Sequence, residues 1–302
     1  MLKKTALATA IGLALSATAQ AAEDYRWELG AGYTHSTIDA DLKSDVLRDS
    51  ENIDSDIGAV SGTWYLKPVD TSKGPLAEAA FLDHASNITL SFADGEVDLN
   101  SINNDLSDED GQTYAIDTRY VAEGPGWELS GWLVDLSFLR AEPGDREIDT
   151  YGIGIGKYLT KKTTLVVNYE QVNVNNGGDT DGYSVDLEHM WNLSNGGGFK
   201  AVASAGKVVV KDADDIESYA LGGTYYINQH LGFGAGYTNT SQNGFEVDGF
   251  DVSAQWFVTD NIEIALAYSQ LNPDDIKFND GDVNGKIELE NEVYSLGALV
   301  RF

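Results

Sequence analysis

The feature that most restricts this chain is an alternation of apolar and polar residues with a period of two, repeated along most of its length. Tyr294, Leu296, Ala298, Val300 and Phe302 alternate with Val293, Ser295, Gly297, Leu299 and Arg301. Successive side chains of a β-strand point to opposite faces, so this segment has one apolar, aromatic face and one mixed face. Trp27, Leu29, Ala31 and Tyr33 repeat the pattern against Arg26, Glu28, Gly30, Gly32 and Thr34, as do Phe250, Val252, Ala254 and Trp256 against Asp251, Ser253 and Gln255. About fourteen such segments begin near residues 25, 57, 86, 113, 127, 148, 163, 183, 199, 218, 231, 249, 261 and 289, each of about ten residues, the length of a tilted membrane-crossing strand. Twelve or sixteen strands stay compatible, because Trp127 to Phe138 changes phase midway and Gly152, Gly154 and Gly156 leave one face blank. The expected fold is all-β: a closed antiparallel transmembrane β-barrel with short periplasmic turns and longer acidic extracellular loops.

The start of the chain sets the compartment. Lys3 and Lys4 precede an apolar run from Ala6 to about Ala17, and Ala19-Gln20-Ala21 offers small residues for cleavage. Residues 1–21 read as a secretory signal peptide and 22–302 as one barrel domain. No later stretch is long and apolar enough to span a bilayer as a helix. The chain has no cysteine, which excludes a disulfide framework and thiolate metal sites. Its formal net charge of −30 disfavours nucleic acid as a partner.

Connections alternate short and long, as in outer-membrane barrels. Thr160-Lys161-Lys162, Asn228-Gln229-His230 and Thr259-Asp260-Asn261 are short. Asp39 to Asp56, Asp94 to Gly111, Asn173 to Gly182, Lys211 to Glu217, Asn239 to Gly249 and Asn272 to Gly285 are long and acidic. One connection breaks the rule, because a periplasmic turn is expected where Lys67 to Leu82 lies. Its second half reads as a short helix, with Pro75 in the first turn and Leu76, Ala79 and Ala80 at helical spacing.

That stretch, Trp64-Tyr65-Leu66-Lys67-Pro68-Val69-Asp70-Thr71-Ser72-Lys73-Gly74-Pro75-Leu76-Ala77-Glu78-Ala79-Ala80-Phe81-Leu82-Asp83, resembles the hallmark segment of the putative general bacterial porins. The resemblance extends through the signal, the barrel pattern and Phe302. It implies passive solute passage across the outer membrane and carries no catalytic residues.

A barrel of this strand number is wider than its own side chains fill, so its polar inward face should enclose water. The candidate pore-lining residues are Arg26, Glu28, Asp117, Arg119, Asp186, Glu188, Lys200, Asp251, Glu263 and Arg301. Acids in the lining and at the mouth predict a weakly cation-selective channel for small hydrophilic solutes. The third predicted extracellular loop, Ala141 to Glu147, is too short to fold inward and narrow the pore. The second, Asp94 to Gly111, carries Val97, Leu99, Ile102 and Leu106 and is the candidate for that role. In the last loop Asp280, Asp282, Asn284 and Gly285 match the start of a calcium loop, but the twelfth position falls on Asn291 between Glu290 and Glu292. Loose divalent binding, bridging to lipopolysaccharide phosphates, is the expectation there; no cofactor is expected.

The competing classes are a non-channel structural or adhesin barrel and a rim-active enzyme. The first needs large exposed loops, and most here are modest. The second needs a histidine with a carboxylate or serine at the rim, and only His35, near Asp39 and Asp41, is at that level. His84 and His230 fall in periplasmic connections, and His189 on a lipid face. Phe302 fits the terminal aromatic signal read by the barrel-assembly machinery in the proteins this chain resembles. Its strand should pair with the one beginning near Tyr25 and turn Arg301 toward the lumen. The pattern leaves preferred solute and oligomeric state open.

Overall fold

In the computed structural model the described residues are 24–302, apart from 45–47, 101–108, 125–129, 145, 176, 212 and 281–282. The signal peptide lies outside them. Fifteen strands follow in order: β1 (Asp24–Ser44), β2 (Arg48–Asp70), β3 (Asn87–Asn100), β4 (Glu109–Val121), β5 (Trp132–Pro143), β6 (Ile148–Thr160), β7 (Thr163–Val174), β8 (Asp179–Asn192), β9 (Gly198–Val210), β10 (Ile216–Tyr226), β11 (Leu231–Gln242), β12 (Phe245–Thr259), β13 (Ile262–Pro273), β14 (Ile276–Asp280) and β15 (Val283–Arg301). Each strand pairs antiparallel with its neighbour, and β1 pairs with β15 from Glu28↔Arg301 to Ser44↔Gly285, which closes the sheet. Short β14 only extends β15 as a hairpin, so the wall has fourteen strands. Phe302 completes the seam: its carbonyl accepts from the amides of Arg26 (3.0 Å) and Trp27 (2.9 Å), and its amide donates to the Trp27 carbonyl (3.0 Å).

The outer face shows why these strands sit in lipid. Leu29, Leu90, Ile116, Leu136, Ile155, Val167, Leu187, Leu221 and Leu266 all point outward and are exposed. Aromatic rows border this band, as expected where amphipathic rings meet the membrane surface. One row contains the Trp27–Trp64 and Trp191–Phe199 pairs with Trp132 and Trp256; the other contains Phe92–Tyr114, Phe138–Tyr151, Tyr169–Tyr183 and Phe250–Tyr268–Tyr294.

Strand length departs from the expectation. β1, β2 and β15 have 21, 23 and 19 residues, so most of Asp39 to Asp56 is strand. Most of the proposed loop from Asn239 to Gly249 is also strand, closed by a two-residue turn at Asn243-Gly244 with φ of 49° and 78°. Asn-Gly is suited to such a turn because both positions need positive φ. Beyond the aromatic row the amphipathicity reverses. On β1 and β2 the polar His35, Asp39, Asp54 and Asp56 share the outward face, while Ile38 and Ile53 pair on the inward face. Lengthened strands with a reversed pattern project into water and do not cross more membrane.

The irregular connection after β2 forms two 3-10 turns, Thr71–Lys73 and Leu76–Glu78, and a one-turn helix α1 (Ala79–Leu82). The Asp70 carboxylate caps the first by accepting from the Ser72 amide at 2.9 Å. Instead of lying outside the barrel, this segment packs across its periplasmic end.

Candidate functional site: the barrel lumen

The register assigns the lumen face directly, because residues opposite one another in an antiparallel ladder share a face. Glu28, Asp117, Arg119, Asp186, Glu188, Lys200, Asp251, Glu263 and Arg301 all alternate with outward apolar residues and lie on the inner wall. Arg26 does not join them. A bulge between Tyr25 and Trp27 shifts the phase, so Tyr25 is the buried residue, while Arg26 is exposed at the rim with Nη2 donating to the Leu66 carbonyl at 2.9 Å.

The inner wall has three levels. At the periplasmic level the segment after β2 meets the wall on several sides. Ala79 packs with Tyr25, Tyr65 and Val69; Leu82 packs with Met190 and Tyr226; Phe81 lies against the cluster of Val121, Leu133, Tyr158 and Val166. Polar anchors match these contacts. Glu78 Oε2 is 3.0 Å from Lys200 Nζ, and its Oε1 accepts from the Tyr226 hydroxyl at 2.6 Å. Arg301 donates through Nε to Glu28 (2.8 Å) and through Nη1 to the Leu76 carbonyl (2.9 Å), with its guanidinium stacked between Tyr25 and Phe257. The Tyr65 hydroxyl takes the other Glu28 oxygen at 2.7 Å. The Leu76 amide donates to the Gln229 carbonyl at 2.9 Å, and the Tyr158 hydroxyl to the Phe81 carbonyl at 3.1 Å.

Outside the strands, Lys73 pairs with Asp83 and lies 3.7 Å from Asp70. Partial burial works to lower its pKa, yet the two carboxylates outweigh it and hold the ammonium above its ordinary value.

The middle level is polar and lined with small residues. Arg119 grips Asp135 through two bonds of 2.8 and 2.7 Å. Asp186 accepts from Asn168, Ser184 and Ser204. Gly152, Gly154 and Gly156 face inward, and a Cβ on them would meet Ser137, Asn168 and the Leu165 carbonyl respectively, so the blank face makes room for the neighbours' side chains. A cavity of about 590 Å³ opens here, with Asp117, Arg119, Asp135, Asn168 and Ser184 on its wall. The third level is the reversed, inwardly apolar wall of the strand extensions.

Asp94 to Asn100 and Glu109 to Gly111 are strand, with Val97↔Glu109 paired, so the described parts of the second loop continue the wall and do not fold into the pore. Leu99 lies in β3, whereas Ile102 and Leu106 lie outside the described residues. Among the described residues, the segment that crosses the lumen is the one at the periplasmic end. Asp282 also lies outside the described residues; Asp280 and Asn284 belong to the β14–β15 ladder, where Asp280 pairs with Val283. Among the described residues no group of three acids or histidines is placed to hold a metal. His35 Nδ1 bonds the Asp56 carboxylate at 3.0 Å on the outward face that it shares with Asp39 and Asp41. His84 bonds the Lys161 carbonyl (3.0 Å), His230 pairs with Asp260 (2.8 Å), and His189 is outward beside Trp191.

Sequence reasoning missed Glu78. The available signal was a lone carboxylate inside the apolar run Leu76-Ala77-Glu78-Ala79-Ala80-Phe81.

A closed fourteen-strand wall, an apolar outer band between aromatic rows and a polar interior define a β-barrel of the outer-membrane channel class. The chain belongs to the family described as "Putative general bacterial porin", whose model matches residues 2–205. Among solved structures, the outer membrane protein Omp33 of Acinetobacter baumannii is similar with a TM-score of 0.60 and 20% identity over 93% of this chain and 99% of that one. The toluene transporter TodX of Pseudomonas putida (TM-score 0.45, 11% identity, 97% and 92% covered) and a FadL homologue of Pseudomonas aeruginosa (0.43, 9%, 92% and 90%) are more distant, and nothing is argued from them. No curated protein matches. Family and fold fit a channel in the outer membrane.

Proposed function

We propose that the protein is an outer-membrane porin that passes small hydrophilic solutes passively, with a weak preference for cations, through a lumen narrowed at its periplasmic end by residues 71–86. The observation that carries this reading is the polar middle level, in which Asp117, Glu170 and Asp251 make no hydrogen bond or ion pair among the described residues. The wall's cations are engaged: Arg119 by Asp135, Lys200 by Glu78 and Glu188, Arg301 by Glu28. Uncompensated carboxylates in a narrow low-dielectric passage concentrate cations. Planar-bilayer recording under a potassium chloride gradient tests this; a reversal potential on the anion side would refute the selectivity, and absence of current the channel.

The supporting partners are outer-membrane lipid and lipopolysaccharide. The outward acids of the extensions suit divalent bridging to phosphates, and calorimetry showing no calcium or magnesium uptake would remove that part. Residues 1–21 act as the export signal, and Phe302 as the element read by the barrel-assembly machinery.

A further inference from the structure

The reversed pattern of the strand extensions has a chemical meaning for the solute. Above the polar level the inward side chains turn apolar on six of the fourteen wall strands: Ile38 on β1, Ile53 on β2, Val97 on β3, Val172 on β7, Val208 on β9 and Leu289 on β15. These residues are half-buried, neither packed into a closed core nor directed to bulk water. Simple solubility does not call for this arrangement, because the same strands carry their charges on the outward face. A vestibule for ions and sugars alone would be polar inside. The polar level below it carries Asp117 and, on a separate part of the wall, Asp251, neither of which makes a hydrogen bond or ion pair among the described residues. The 590 Å³ cavity spans both levels, since Asp117 and Val208 both line it, and its size suits a small organic molecule.

We infer that the vestibule selects small amphiphilic cations, an apolar chain or ring bearing an ammonium group, with the apolar body against the extension walls and the ammonium at one of two separate inward carboxylates, Asp117 or Asp251. The inference rests on the porin reading and deepens it by naming a solute class. Charge complementarity fixes the sign of the head group: the two carboxylates are anionic and the chain carries a net charge of −30, so an anion of equal chain length is repelled. The apolar wall sets the dependence on chain length, because each methylene removed from water contributes to binding.

The test uses the mature protein in planar bilayers with methyl-, butyl- and hexylammonium ions as blockers of the potassium current, and hexanesulfonate as the anionic counterpart. The half-blocking concentration is expected to fall about twofold to fourfold per methylene, with little block by hexanesulfonate. Val97→Ser combined with Val208→Ser should flatten the chain-length series. Asp117→Asn combined with Asp251→Asn should weaken block by all the ammonium ions and leave the slope unchanged. Migration of unheated samples on gels confirms that the variants fold. Equal block at every chain length, or block by hexanesulfonate as strong as by hexylammonium, would overturn the inference while leaving the porin reading intact. A protein without current would refute the porin reading instead. In that case saturation-transfer NMR of the same ions on the folded barrel still decides the vestibule: chain-length-dependent ammonium binding supports it, and its absence overturns it.

Discussion

Glu78 is the most informative residue to change, because it belongs to the segment that crosses the lumen while its partners belong to the wall. Glu78→Gln keeps the shape and one hydrogen-bond acceptor for Tyr226 but removes the charge facing Lys200. The Glu78 side chain is 8% exposed and that of Lys200 20%, so the contact is largely desolvated. Lys200 retains Glu188 at 3.7 Å, which spares it from becoming an isolated buried cation, the outcome that makes breaking such pairs most costly. A hydrogen bond to a charged group contributes about 1.5–3 kcal/mol, so the docked segment should lose about 2 kcal/mol relative to an undocked one. That shift changes the ratio of the two states by about thirtyfold. Single-channel recording should show a higher fraction of time in the larger conductance and faster fluctuation. The control is Glu123→Gln, which removes the Lys67–Glu123 pair at the rim, where both side chains are about 70% exposed and little is at stake. If Glu78→Gln left conductance, open fraction and thermal stability like those of the control, the segment would not be held by this pair and the reasoning would be wrong.

Gly156→Ala should destabilise the barrel by about 1–3 kcal/mol, since the new Cβ would lie 2.5 Å from the Leu165 carbonyl, whereas Gly32→Ala, whose Cβ would meet only the Leu296 carbonyl at 3.7 Å, should be tolerated. The midpoint of heat-induced gel mobility change compares them, and equal midpoints would refute the account. Deleting Phe302 removes three backbone hydrogen bonds at the seam, about 1 kcal/mol each, and should abolish recovery of folded barrel from outer-membrane fractions; normal yield would contradict its proposed role. Lys73 has a raised folded pKa, so its contribution to anchoring the segment is complete below the ordinary value of 10.5 and is lost as pH rises beyond it. Current fluctuations should therefore stay constant up to that pH, and an onset well below it would argue against the Asp83 and Asp70 pairing as the cause.

Much of this protein could be read from its sequence because period-two alternation is a local property. Eleven of the fourteen wall strands begin within a few residues of the starts it predicts, with larger differences at β2, β5 and β15. In β2 the residues before Ile57 put charge outward and Ile53 inward, a reversal that looks like a loop to any search for an apolar outer face. The Asn243-Gly244 pair carries the residue types of a two-residue turn, and the expected loop from Asn239 to Gly249 overlooked it.

The inward direction of Glu28, Asp117, Asp186, Asp251 and Arg301 followed from the same alternation, and the bulge that removes Arg26 from the lumen did not, since a bulge depends on how two strands pair. The crossing of the lumen by residues 71–86 was decided by tertiary structure alone. Its sequence shows a short apolar helix at a periplasmic position, but the anchors are Lys200, Tyr226, Gln229 and Arg301, more than a hundred residues away in the chain. Only closing the sheet brings those four side chains around one small segment. The sequence by itself therefore determined the barrel and the membrane face, because lipid and water act on each strand locally, while the shape of the passage arose from contacts that exist only once β1 meets β15.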